Sequence, residues 1–116
     1  MDNKDIKVLG KIREHAASIV TETSGIGDAE TFKNTNDKSK AALFDLLQIG
    51  ELSKDGLSQD AVNQMQNIPW REIYALRCRI VHGYASVDYE IIWETIQGDI
   101  PRLISDIDKV LNLYNM

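Results

Sequence analysis

The sequence predicts an all-helical protein, and three observations predict it. Only 7 glycines and 2 prolines punctuate 116 residues, and both prolines, Pro69 and Pro101, lie past the midpoint. Ile, Leu, Glu and Lys are abundant, a composition that suits helices. Apolar residues return at steps of three and four through most of the chain, which is the period of one helix face. The expected architecture is an antiparallel bundle of four main helices plus one short helix, in a single domain spanning 1–116. A domain this small buries a modest core, so a homodimer is expected.

The first helix is predicted from Asp2 to about Thr21. Ile6, Leu9, Ile12, Ala16, Ile19 and Val20 mark its buried side, and Asp2 or Asn3 supplies the cap. His15 sits among charged residues with no partner at ligand spacing and reads as a surface group. Thr23 to Asn36 is polar, carries Gly25 and Gly27, and reads as a loop with Phe32 pinning it to the core. The second helix is expected from Asp37 to about Ser53. Its stripe is Ala41, Phe44, Leu47 and Leu52, with Leu43 and Ile49 beside it. Gly50 interrupts this pattern at a cost of up to ~1 kcal/mol in propensity, and a close helix crossing would explain it. Glu51 reads as exposed or as part of a cap.

A short helix is expected from Ser58 to about Met65, broken by Asn67-Ile-Pro-Trp70 because residues before proline avoid the helical region. The next main helix runs from Trp70 to roughly His82, with Ile73, Leu76, Ile80 and Val81 inward and Gly83 as its stop. The last begins near Ser86, a candidate cap, and continues the apolar period from Val87 to Leu111. It bends, or stops and restarts on Asp99, at Pro101. Trp70 and Trp93 read as core anchors rather than stacking platforms.

Formal net charge is −5, which argues against a broad, sequence-independent grip on nucleic acid. Charge is nevertheless uneven. Between Arg71 and His82 lie three arginines and one glutamate. The single cysteine, Cys78, excludes an internal disulfide and fits a cytoplasmic location. No apolar run approaches the ~20 residues needed to span a bilayer, and no signal-peptide pattern opens the chain. Zinc spacing, P-loop and dinucleotide fingerprints are absent, so neither a metal nor a cofactor is expected.

The stretch LRCRIVHGY, Leu76 to Tyr84, carries two arginines, a histidine and a tyrosine. Its ordinary reading is a helix end whose cationic side chains cap carbonyls. Its chemical reading is phosphodiester cleavage. An imidazole near its ordinary pKa moves protons at neutral pH, and a guanidinium offers fixed donors to phosphate. RNA carries its own nucleophile in the 2′-hydroxyl, so a base and a phosphate clamp suffice; DNA lacks that group. On an ideal helix Arg77 and His82 differ by about 140° and do not share a face. Unwinding at Gly83 or a second subunit could bring them to one substrate. The sequence alone does not choose.

Ile49 to Glu51, Ile68 to Trp70, Leu76 to Tyr84, Val87 to Trp93 and Asp99 to Pro101 stand in an order and spacing that resemble the HEPN superfamily, in its HepT-like branch. The resemblance implies a helical homodimer acting as a metal-independent endoribonuclease. It maps the family's arginine-to-histidine motif onto Arg77 and His82 as catalytic residues meeting at the dimer interface, with Arg79, Arg71 and Tyr84 as auxiliary RNA-binding groups. It further implies a toxin of a toxin–antitoxin pair. The partner would be an MNT-type nucleotidyltransferase antitoxin that transfers AMP to Tyr84 and silences the toxin. Specific DNA binding and membrane attachment are not expected. One position departs from the pattern: Cys78 stands where the family usually has Asn or Asp. The second expectation is therefore a catalytically inactive HEPN subunit that binds and positions the nucleotidyltransferase.

Overall fold

The computed structural model describes residues 1–83 and 87–114. All regular elements among them are helical. Four long helices are α1 (Asn3–Thr23), α3 (Asn36–Glu51), α5 (Trp70–His82) and α7 (Ile100–Tyr114). Three short ones are α2 (Ala29–Asn34), α4 (Gln59–Gln64) and α6 (Tyr89–Glu94). The expected loop after α1 thus contains α2, and the expected last helix divides into α6 and α7. Wide π-type turns occupy Leu52–Gly56 and Thr95–Asp99. The second has a clear cause. Pro101 has no N–H for the helical ladder, and the chain widens just before it, with Ile100 N–H bonding the Thr95 carbonyl.

Helix starts follow local chemistry. Asp2 caps α1, and its carboxylate accepts the Asp5 N–H at 2.8 Å. Asp5 is itself 1% exposed, yet accepts the Ser58 N–H at 2.8 Å and the Ser58 hydroxyl at 2.7 Å. Ser58 in turn caps α4. One carboxylate therefore ties two helix starts together across the fold. Burial pushes Asp5 up, but the hydrogen bonds from Ser58 and Asp2 win and hold it below the ordinary aspartate range. Asp88 caps α6, accepting from Glu90 N–H at 3.0 Å; the expected cap, Ser86, lies outside the described residues.

In space the long helices follow the order α5, α3, α1, α7, since α3 packs on both α5 and α1, and α1 packs on α7. The core collects Leu9, Ile12, Ala16 and Ile19 from α1, Ala42, Leu43, Leu46 and Ile49 from α3, and Leu103 and Ile107 from α7. Phe32 is fully buried beside Tyr89 and Trp93, with ring centroids 6.1 and 5.4 Å away. It closes one side of the core as expected.

Val20 and Val81, expected on buried faces, are 41% and 49% exposed, and two further expectations fail at helix crossings. Phe44 is 53% exposed rather than on the buried stripe of α3. That helix is covered on two sides, so its buried surface runs through Ala42, Leu43, Leu46, Ile49 and Gly50. His15 is not a free surface group. Its Nδ1 lies 2.7 Å from Oδ1 of Asp45, a carboxylate only 7% exposed. On the opposite flank of α1, Arg13 makes a two-pronged pair with Asp108 of α7, at 2.5 and 3.2 Å. Helices α5 and α7 stand at the two ends of this order, and α5 is the less covered, with Ile80 its one fully buried residue. No helix among the described residues is long and apolar enough to cross a membrane.

Candidate functional site

Helix α5 begins after a tight turn at Pro69, where the Trp70 N–H donates to the Ile68 carbonyl at 2.9 Å, and ends where Gly83 adopts φ +154°, a conformation side-chain-bearing residues avoid. Between those points only the side facing α3 is held. At the crossing, α3 presents Gly50. A Cβ built there would overlap Cβ of Arg77 and lie 2.8 Å from its Cγ. The missing side chain is thus the space through which the Arg77 stem passes. This is the close helix crossing that the glycine inside an apolar pattern pointed to.

Glu51, the next residue, completes the arrangement. Its Oε1 accepts from Arg77 Nε at 2.5 Å and also from Nη2. Both side chains are half-buried. The Glu51 carboxylate, with a smaller contribution from the Cys78 side chain, raises the Arg77 pKa above its already high ordinary value. The guanidinium is a fixed cation at every accessible pH. Its remaining N–H donors exceed what one carboxylate oxygen can take. The Tyr74 ring lies 5.6 Å from the guanidinium carbon, and the Lys54 ammonium is 5.4 Å from the same ring.

His82 stands in contrast. It is the last residue of α5, is exposed, and makes no hydrogen bond or ion pair among the described residues. Its imidazole therefore caps no carbonyl there; Gly83 N–H closes the helix end on Ile80 O at 3.3 Å. It lies five positions after Arg77, an axial rise of about 7.5 Å on a different face. Within one chain the two side chains do not converge.

The other expected residues divide. Arg71 is exposed and lines a cleft with Lys54, Trp70 and Tyr74. Arg79 is exposed on the opposite side of α5. There it lines a groove between α5 and the α6–α7 segment, with Leu76, Ile91, Glu72 and Asp99. Tyr84 lies outside the described residues. Glu51 was missed as a site residue. Its signal in the sequence was its place beside an otherwise unexplained glycine. Among the described residues, no group of three or more His, Cys, Asp or Glu side chains is placed to hold a metal ion.

The family model described as "Ribonuclease HepT-like" matches residues 12–110. The chain belongs to the HepT-like ribonuclease family. The match covers every element that builds the arrangement around Arg77. The chain is 30% identical over 112 residues to "Putative RNase MJ0127" of Methanocaldococcus jannaschii, covering 96% of this chain and 91% of that protein. It is 31% identical over 103 residues to "Putative RNase TTE0752" of Caldanaerobacter subterraneus subsp. tengcongensis, covering 89% and 90%. It is 35% identical over 74 residues to "Probable ribonuclease HepT" of Thermococcus cleftensis, covering 63% and 66%. No solved structure gives a match. The HepT-like assignment agrees with the all-helical bundle.

Proposed function

We propose that the protein is a metal-independent endoribonuclease that acts as a homodimer, with Arg77 and His82 of both subunits forming one composite site. The observation that carries this reading is the contrast on α5. Arg77 is anchored by Glu51, while His82 stands exposed at the end of an edge helix. One chain separates the cation from the imidazole. A second copy laid against the open side of α5 would bring a further pair to the same cleft. Val81, on α5, is 49% exposed, so the helix has apolar surface left to cover.

In the proposed reaction the RNA 2′-oxygen attacks the adjacent phosphorus, the bond to the 5′-oxygen breaks, and a 2′,3′-cyclic phosphate forms. A neutral His82 takes the 2′-hydroxyl proton, and a protonated His82 gives one to the departing 5′-oxygen. Arg77 stabilises the extra negative charge of the pentacoordinate state. Arg71 and Arg79 draw the strand in. Purified protein should cut RNA with EDTA present, and His82→Ala should reduce the rate on the order of a hundredfold or more. Equal cutting by that variant would remove His82 from the chemistry.

The biological role that fits is a toxin held in check by an MNT-type nucleotidyltransferase. The Tyr84 phenol oxygen would attack the α-phosphorus of ATP and release pyrophosphate. The bulk and charge of the transferred AMP two residues from His82 would then oppose RNA phosphate. Co-expression with such a partner should add the mass of AMP less water to a peptide containing Tyr84, and Tyr84→Phe should abolish the addition. A second reading is favoured by Cys78. It is half-buried beside Arg77, where the family usually has an amide or carboxylate. On that reading the chain has lost cleavage and serves to bind and position the nucleotidyltransferase. Stable complex formation without RNA cutting by either protein would support it.

A further inference from the structure

We infer that the cleft at the start of α5 is a nucleotide subsite, which takes one base and one phosphate of the RNA strand next to the cleaved bond. The inference rests on the ribonuclease reading for the identity of its ligand. The cleft itself is on the opposite flank of α5 from the groove around Arg79.

The cleft encloses about 280 Å³ between α4, the Leu52–Gly56 turn and the first turn of α5. That is close to the lower bound of about 300 Å³ for small-ligand pockets. Trp70 and Tyr74 supply aromatic surface, Leu57 and Val62 an apolar floor, and Lys54 and Arg71 the charge. None of the residues lining it is acidic, in a chain whose net charge is −5. Cations beside aromatic faces, without a carboxylate, suit the two parts of a nucleotide: a base that stacks and a phosphate that needs positive partners.

Two details favour a stacked base over an aliphatic peptide side chain. The Trp70 indole is immobilised by its Nε1–H donating to the Met65 carbonyl at 3.1 Å, so the site meets its ligand with a fixed ring. Tyr74 already has Lys54 at 5.4 Å and Arg77 at 5.6 Å from its ring centroid. An entering base takes the Lys54 position on the ring, and the ammonium turns to the phosphate that accompanies the base. Tyr74 also joins the cleft directly to Arg77. From Arg71 to Arg77 the rise along α5 is about 9 Å, a short reach for an RNA backbone. Stacking explains the ligand class without demanding one base, so the subsite predicts grip rather than strong sequence preference.

The test uses the full-length chain and 2′-O-methylated hexauridylate, which lacks the free 2′-hydroxyl needed for cleavage. The indole N–H resonance of Trp70, distinguished from that of Trp93 by Trp70→Phe, should move saturably on titration. Tyr74→Leu, and separately Lys54→Ala with Arg71→Ala, should weaken binding about tenfold or more, while Tyr74→Phe should bind like the parent. A Trp70 signal that stays still while the probe binds elsewhere overturns the subsite. So does undiminished binding by Tyr74→Leu, or a response to the nucleotidyltransferase alone. A parallel cleavage assay in EDTA keeps the two ideas apart. A responsive Trp70 without cleavage sinks the ribonuclease and retains the cleft. Cleavage with a silent Trp70 does the reverse.

Discussion

Replacing Gly50 with alanine tests the helix crossing on which the Arg77 arrangement depends. On propensity alone the change favours the helix by about 1 kcal/mol. The structure opposes it. The new Cβ would overlap Arg77 Cβ and stand 2.8 Å from Cγ. Those atoms are the rooted part of the side chain, so they cannot swing away. Either α3 and α5 separate or the backbone of α5 shifts. Overpacking of this kind costs about 1–3 kcal/mol, and two contacts under 3.0 Å with rooted atoms put this one in the upper part of that range, about 2–3, leaving a net loss of about 1–2 kcal/mol after the propensity gain. For a domain of this size that is a fall in Tm of about 5–10 °C. Gly10 in α1 is the matched control, because nothing lies within 4 Å of a Cβ built there. Gly10→Ala should therefore raise Tm by a few degrees. Thermal and urea unfolding followed by circular dichroism read both variants. If Gly50→Ala stabilises as much as Gly10→Ala does, the two helices do not approach as described and the anchoring of Arg77 loses its basis.

Three further outcomes follow from side-chain pairs. Glu51→Ala should lower kcat on RNA about tenfold to a hundredfold by loosening the guanidinium, with Glu51→Gln retaining more activity; a rise in kcat would mean that Glu51 restrains Arg77 instead of positioning it. Asp5→Asn should cost about 1–2 kcal/mol at neutral pH in urea titrations. Asp5 is held below its ordinary value of 3.8, so its contribution is complete above that pH and lost as pH falls through the lower folded value; the gap between parent and variant should close under acid, and a gap that widened there would contradict the sign. His15→Ala leaves the buried Asp45 carboxylate without its 2.7 Å partner and should cost about 1–3 kcal/mol, whereas an unchanged urea midpoint would show that the pair is incidental.

Much of the architecture was legible because helix ends are local events. Asp2, Ser58, Pro69 and Gly83 act on the few peptide groups beside them, and each marks an observed boundary. Pro101 was legible as a disturbance for the same reason, although the widened turn that absorbs it was not. The failures belong to residues whose partners are far away in sequence. His15 meets Asp45 thirty positions later, and Arg77 meets Glu51 twenty-six positions earlier. Hydropathy period reports that a face is covered, not by which helix. That is why Phe44 was assigned to the buried stripe of a helix with neighbours on two sides. Gly50 was the exception, since a glycine inside a strong helical pattern carries its own cost and so announces a close contact.

The placement of Arg77 and His82 on an edge helix also bears on how a composite site stays ready. The two groups of the proposed reaction need opposite treatment. A phosphate clamp works best when its donors are oriented before the charge develops, and Arg77 is held by a carboxylate, a glycine-sized gap and an aromatic ring. A proton carrier near neutral pH instead needs to stay hydrated and unpaired until substrate arrives, because a buried imidazole or one paired with a carboxylate would be biased toward one protonation state. The two histidines of the chain differ in their surroundings. His15 is half-buried against Asp45, and His82 is exposed at a helix end without a partner among the described residues. Had α5 been covered on both sides like α3, His82 could not have met a second subunit or an RNA strand. Had it been uncovered on both, Arg77 would have had no crossing against which to be set. An edge helix with one packed flank satisfies both requirements.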